Sequence, residues 1–188
     1  IHKYNIYYFI SHFNSDEILN LDKRIKIIFR NYEKKNIEKE IQLLSIFCKK
    51  NNRQLFISNN LKIAIKYNLD GLYLPSFNKS LKFKNLNLKK KFKIIGSAHN
   101  RNEIILKEKQ GCHEIFVSPI FYISKNKNYL GIIKFNLLNI NTKQNIIALG
   151  GLNEKNYRKL KSTRAKGFAG ISWIKKNRPK KLGRFNNF

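Results

Sequence analysis

Acidic residues are scarce in this chain: 11 Asp and Glu stand against 39 Lys and Arg, a formal net charge of +28 over 188 residues. Methionine is absent, and valine and tryptophan occur once each. With so few carboxylates, a glycosidase-type acid–base pair is not expected. Cysteine is equally sparse. Cys48 and Cys112 cannot make a disulfide framework, and neither belongs to a CxxC pair of the kind that holds a metal. The four histidines, His2, His12, His99 and His113, show no ligand spacing. No apolar run reaches the ~18 residues of a membrane span. The opening IHKYNIYYFI is patterned as a strand and lacks the small-residue cleavage site of a signal peptide. The expectation is a reduced, cytoplasmic protein with no membrane partner.

What is abundant is Lys, Asn and Ile, the residues of A/T-rich codons. A net charge of this size suggests nucleic acid or an anionic surface as partner. The composition favours a plainer reading, in which much of the charge is drift spread over solvated helix faces. On either reading the chain should attract anions, phosphorylated small molecules included. At 42% hydrophobic and 13% aromatic, it is too apolar for disorder.

Short apolar runs alternate with segments of helical spacing. The spacing predicts strands at Tyr4–Ile10, Lys26–Arg30, Gln54–Ile57, Gly71–Leu74, Lys93–Ser97, Glu114–Val117, Asn145–Leu149 and Gly167–Ile171. Each is apolar nearly throughout, as parallel strands buried on both faces must be. Between them, Ile37, Ile41, Leu44 and Cys48 recur at helical intervals, Asn100 caps a helix that stops at Gly111, and Asn153 caps one over Glu154–Leu160. Strict strand–helix alternation without hairpins predicts a compact (β/α)₈ barrel, with a flavodoxin-like open sheet as the alternative. The barrel would occupy residues 1–174, and residues 175–188 would form a basic tail.

In such a barrel, function resides at the C-terminal ends of the strands. Strand two ends in Arg30-Asn31-Tyr32, strand three in Ser58-Asn59-Asn60, and strand five in Ser97-Ala98-His99. Strand six runs into a loop carrying Lys125 and Lys127. Strand seven ends in Gly150-Gly151, and strand eight in Gly170-Ile171-Ser172. None of these ends is Asp or Glu. The glycines and Ser172 sit where barrels commonly bind phosphate on backbone N–H groups. A guanidinium at Arg30 suits a bidentate grip on phosphate. The site would act by holding phosphates and stabilising a departing anion.

These segments resemble the thiamine phosphate synthase and thiazole tautomerase superfamily. NLDGLYLPS is similar to its G-A-D-G-V-H-L strand, and IIGSAHNRNE to G-x-S-x-H-x-x-x-E. FVSPIF with its lysine-bearing loop resembles G-x-G-P-I-F-P-T-x-T-K. IIALGGLN matches V-A-I-G-G-I, and AKGFAGISWI the closing G-A-D-G-V-A-V-I-S. The resemblance implies a small (β/α)₈ barrel that joins hydroxymethylpyrimidine diphosphate to thiazole phosphate and releases pyrophosphate. By position, Arg30 would hold the diphosphate, with Ser97 beside it and Lys125 or Lys127 on the leaving pyrophosphate. Gly150, Gly151, Gly170 and Ser172 would hold the thiazole phosphate, and Tyr32 and His99 would complete the pocket. Family members also carry two aspartates that hold Mg²⁺. Here those positions are Asn59 and Asn78, and neutral amides are poorer Mg²⁺ ligands. Either the substrate diphosphate holds the metal and lysines compensate, or the chain binds phosphate ligands without turnover. A tautomerase would need a histidine where Ser118-Pro119 stands.

Overall fold

The computed structural model describes residues 4–34, 36–83, 86–124 and 128–170. All eight strands form: β1 (Asn5–Ile10), β2 (Lys26–Phe29), β3 (Leu55–Ser58), β4 (Gly71–Leu74), β5 (Lys93–Ala98), β6 (Glu114–Val117), β7 (Asn145–Leu149) and β8 (Gly167–Gly170). They pair in parallel in sequence order, and β8 returns to β1 to close the barrel. An open sheet is therefore excluded. The helices are α1 (Ser15–Leu19), α2 (Glu38–Lys50), α3 (Leu61–Lys66), α4 (Arg101–Lys109) and α5 (Gly131–Leu138).

Two expectations are corrected. The helix expected over Glu154–Leu160 is a 3₁₀ helix that begins later, at Tyr157–Ser162. The Asn153 side-chain oxygen accepts from the N–H of Lys155 and of Asn156, which closes a turn ahead of it. Strand–helix alternation also lapses once. Among the described residues no helix joins β4 to β5.

Period-two alternation sorts each strand into inward and outward residues. Ile6, Tyr8 and Ile10 of β1 belong to the outer shell under the helices, whereas Tyr7 and Phe9 fill the barrel. The interior is unusually aromatic. Phe116 packs edge-on against Tyr7 at 4.9 Å and Tyr73 at 5.6 Å between ring centroids. Rings of this size fit because inward positions opposite them are small. A Cβ on Gly71 would stand 2.7 Å from the Phe56 ring and 2.0 Å from the Lys93 carbonyl.

The N-terminal end of the barrel is sealed by a polar cluster. The buried Glu114 carboxylate accepts from the Tyr7 hydroxyl at 2.7 Å and from Asn5 Nδ2 at 3.2 Å. Lys26 Nζ donates to Asn5 Oδ1 and Tyr7 Oη, both at 3.1 Å, and stands 3.8 Å from Glu114 Oε1. Burial, reinforced by the Glu114 charge, pushes the Tyr7 phenol far up. Burial lowers the Lys26 ammonium, and Glu114 partly restores it. Among the described residues no helix is long and apolar enough to cross a membrane.

Candidate active site at the barrel mouth

The same parity that turns Ile28 inward turns Arg30, two residues further on, toward the barrel axis above the aromatic layer. Its guanidinium lies over the Phe9 ring at 4.6 Å, and its backbone N–H donates to Ile10 O at 2.8 Å, which fixes the strand end. All 11 acidic residues are among the described residues, and none forms an ion pair with Arg30. The cation is therefore available to an anion at the mouth.

Tyr73, inward on β4, joins it. This side chain is 2% exposed, and its phenol lies in the electrostatic reach of Ser97 and of the Arg30 guanidinium. Burial raises the phenol to about 12, against the opposing pull of Ser97 and Arg30, so it is a protonated donor near neutral pH. Ser97, expected at the site, is buried on inward β5. Tyr73 was not singled out from sequence. Its signal was available, because it alternates with Gly71 and stands one residue from the end of its strand.

On the neighbouring rim, the Tyr32 hydroxyl and Ser58 Oγ share a hydrogen bond at 2.8 Å. The exposed Tyr32 and Phe77 rings meet edge to face at 5.5 Å. Asn59 sits in the left-handed region (φ 57°), where asparagine is better tolerated than most residues, and its N–H donates to Tyr73 O at 2.9 Å. Asn60, not Asn59, caps α3, its side-chain oxygen accepting from Ile63 N–H at 3.0 Å. Asn78 Nδ2 donates to Asn59 Oδ1 at 2.6 Å, so the two positions implied for metal ligation do meet.

These two residues do not fit Mg²⁺. Both are neutral, Asn59 Oδ1 is taken by Asn78, and Asn78 Oδ1 accepts from Ser80 N–H at 3.0 Å and from Gln110 Nε2 at 3.4 Å. Among the described residues no group of three or more His, Cys, Asp or Glu could hold a metal ion. His99 is turned to α4, where Nδ1 lies 3.0 Å from Glu103 Oε2, outside the Arg30–Tyr73–Ser97 cluster.

Gly150 and Gly151 both have positive φ, 90° and 74°. The loop after β6 crosses directly over them. A Cβ on Gly150 would stand 2.9 Å from Pro119 Cβ, and one on Gly151 would stand 2.4 Å from Phe121 O and 2.6 Å from Tyr122 O. Close approach is thus required here by the chain itself. Gly170 ends β8 opposite Tyr8 of β1. Lys125, Lys127, Ser172 and the basic tail at 175–188 lie outside the described residues.

The described chain is similar to known proteins over most of its length. A thiamine phosphate pyrophosphorylase from Pyrococcus furiosus superposes with a TM-score of 0.76 at 16% identity, covering 99% of this chain and 96% of that one. A thiamine-phosphate synthase of Prochlorococcus marinus is 31% identical over 144 residues, 72% of this chain. One of Clostridium tetani is 28% identical over 166 residues, covering 85% of this chain and 77% of its own. The chain spans only 40% of the length of the Prochlorococcus relative. A family model described as thiamine monophosphate synthase matches residues 19–174. With a closed barrel of this topology and a match that runs from α1 past β8, the chain belongs to the thiamine monophosphate synthase family.

Proposed function

We propose that the mouth binds two phosphorylated small molecules, hydroxymethylpyrimidine diphosphate and thiazole phosphate, and joins them to thiamine phosphate. The observation that carries this reading is Arg30, a partly buried guanidinium at the strand ends with no acid partner. In the reaction the C–O bond to the diphosphate breaks and its electron pair leaves with pyrophosphate. The thiazole nitrogen then gives its lone pair to the pyrimidinylmethyl cation, forming the C–N bond. Arg30 meets the charge that grows on the leaving group, and the Tyr73 and Ser97 hydroxyls donate beside it. Lys125 and Lys127 would complete the pyrophosphate grip. Gly150, Gly151, Gly170 and Ser172 would cradle the thiazole phosphate.

A second reading has its own support. The Asn59–Asn78 pair offers no carboxylate, which favours a protein that binds these ligands without turning them over. A turnover assay with both substrates, with and without Mg²⁺, tests the choice. Release of pyrophosphate supports the synthase. Thermal stabilisation by thiazole phosphate and pyrophosphate without turnover supports the binder, and the absence of both overturns the two readings together.

A further inference from the structure

Lys107 lies on α4, on the outer side of β5, and is 0% exposed. No carboxylate pairs with it. Its ammonium instead donates to Pro75 O at 2.8 Å, Asn78 O at 3.0 Å and Gln110 Oε1 at 2.9 Å. Gln110, equally buried, donates in turn to Asn78 O at 3.0 Å and to Ser80 O at 2.9 Å. Two side chains of one helix end thus gather three carbonyls of the helix-free β4–β5 connection. Room for the lysine stem comes from Gly96, where a Cβ would stand 2.8 Å from Lys107 Cδ.

We infer that Lys107, with Gln110, is a positioning residue of the mouth: its buried ammonium holds the 75–80 turn and so sets the Asn59–Asn78 pair against the end of the Tyr73 strand. The inference rests on the proposed function only in that the mouth is where phosphate binds. Physically, a buried cation must collect acceptors. Beside Gln110 Oε1, the acceptors it collects are carbonyls of a turn that has no secondary structure of its own. The turn is fixed by a charge inside the protein, reaching it from outside the barrel wall.

Arg53 provides the control. It is also buried, and it donates to Leu21 O at 2.6 Å and Asp22 O at 2.9 Å, at the far end of the barrel. Lys107→Met, Gln110→Met and Arg53→Met are compared by hydrogen exchange and by calorimetric titration with inorganic pyrophosphate. Lys107→Met should speed exchange of the Asn78 and Ser80 amides by at least about tenfold and leave Ile25 unchanged, whereas Arg53→Met should do the reverse. Pyrophosphate affinity should fall roughly tenfold in Lys107→Met and hold in Arg53→Met. Gln110→Met gives the same pattern, more weakly, and decides the matter if Lys107→Met does not fold. Unchanged exchange at 78 and 80 overturns the inference, as does normal pyrophosphate binding with accelerated exchange. If the unaltered protein binds no pyrophosphate, the functional reading fails, and the exchange result alone upholds or overturns the clamp.

Discussion

At its N-terminal end the barrel closes over a carboxylate, whereas at its mouth a guanidinium is left without one. Below the aromatic layer, Glu114, Lys26, Tyr7 and Asn5 satisfy one another and leave little charge to offer. Above it, Arg30, Tyr73 and Ser97 present donors and no acid. Both sets face the barrel axis, and Lys26 and Arg30 stand four residues apart at opposite ends of one strand. The difference shows how a barrel whose walls are uniformly apolar becomes directional: charge is neutralised at one end and reserved at the other.

The comparison can be broken most severely from below. Glu114→Leu leaves the Tyr7 hydroxyl without its acceptor and the Lys26 ammonium without its counter-ion, and removing one partner of a buried pair costs about 3–5 kcal/mol. Urea unfolding should show that loss with the Arg30 site chemically intact. From above, Arg30→Ala should lower the rate of the proposed synthase reaction by roughly a hundredfold, the ~3 kcal/mol of a preorganised donor. Its urea midpoint should stay near that of the unaltered protein, and a matching fall in stability would make Arg30 structural. Gly151→Ala should destabilise by about 1–3 kcal/mol, since it forces a side chain to positive φ against the Phe121 carbonyl. A neutral outcome in thermal unfolding would show that the loop over it yields. Smallest is Tyr73→Phe, which removes one hydroxyl and should cost ~1 kcal/mol, seen as weaker pyrophosphate binding in calorimetry.

Much of this was legible beforehand. Gly71–Leu74, Glu114–Val117 and Asn145–Leu149 have the bounds read from the sequence, because Pro75, Ser118-Pro119 and Gly150-Gly151 close each apolar run at once. Arg30 and Ser97 could be placed at the mouth from strand ends alone. The Asn59–Asn78 contact could not be read from spacing, since it depends on how an irregular connection folds back over the rim. Lys107 was hidden for a different reason. A lysine on a charged helix in a lysine-rich chain reads as solvated, and only packing against Gly96 reveals it as internal. The paired glycines after β7 stand out in the sequence, but the loop that crosses them is a tertiary fact.

The buried ammonium of Lys107 also couples the fold to protons. Burial lowers it from 10.5 to about 8, with the nearby Cys112 and Glu103 side chains opposing that fall. Between those two values the unfolded chain holds a proton that the folded one has released, so unfolding takes up a proton. This group's contribution to stability therefore rises with pH across that window and is flat on either side. The neutral amine that results has one donor fewer for its three oxygen acceptors. In mildly alkaline solution the protein as a whole becomes harder to unfold through this residue, while the turn it holds becomes looser.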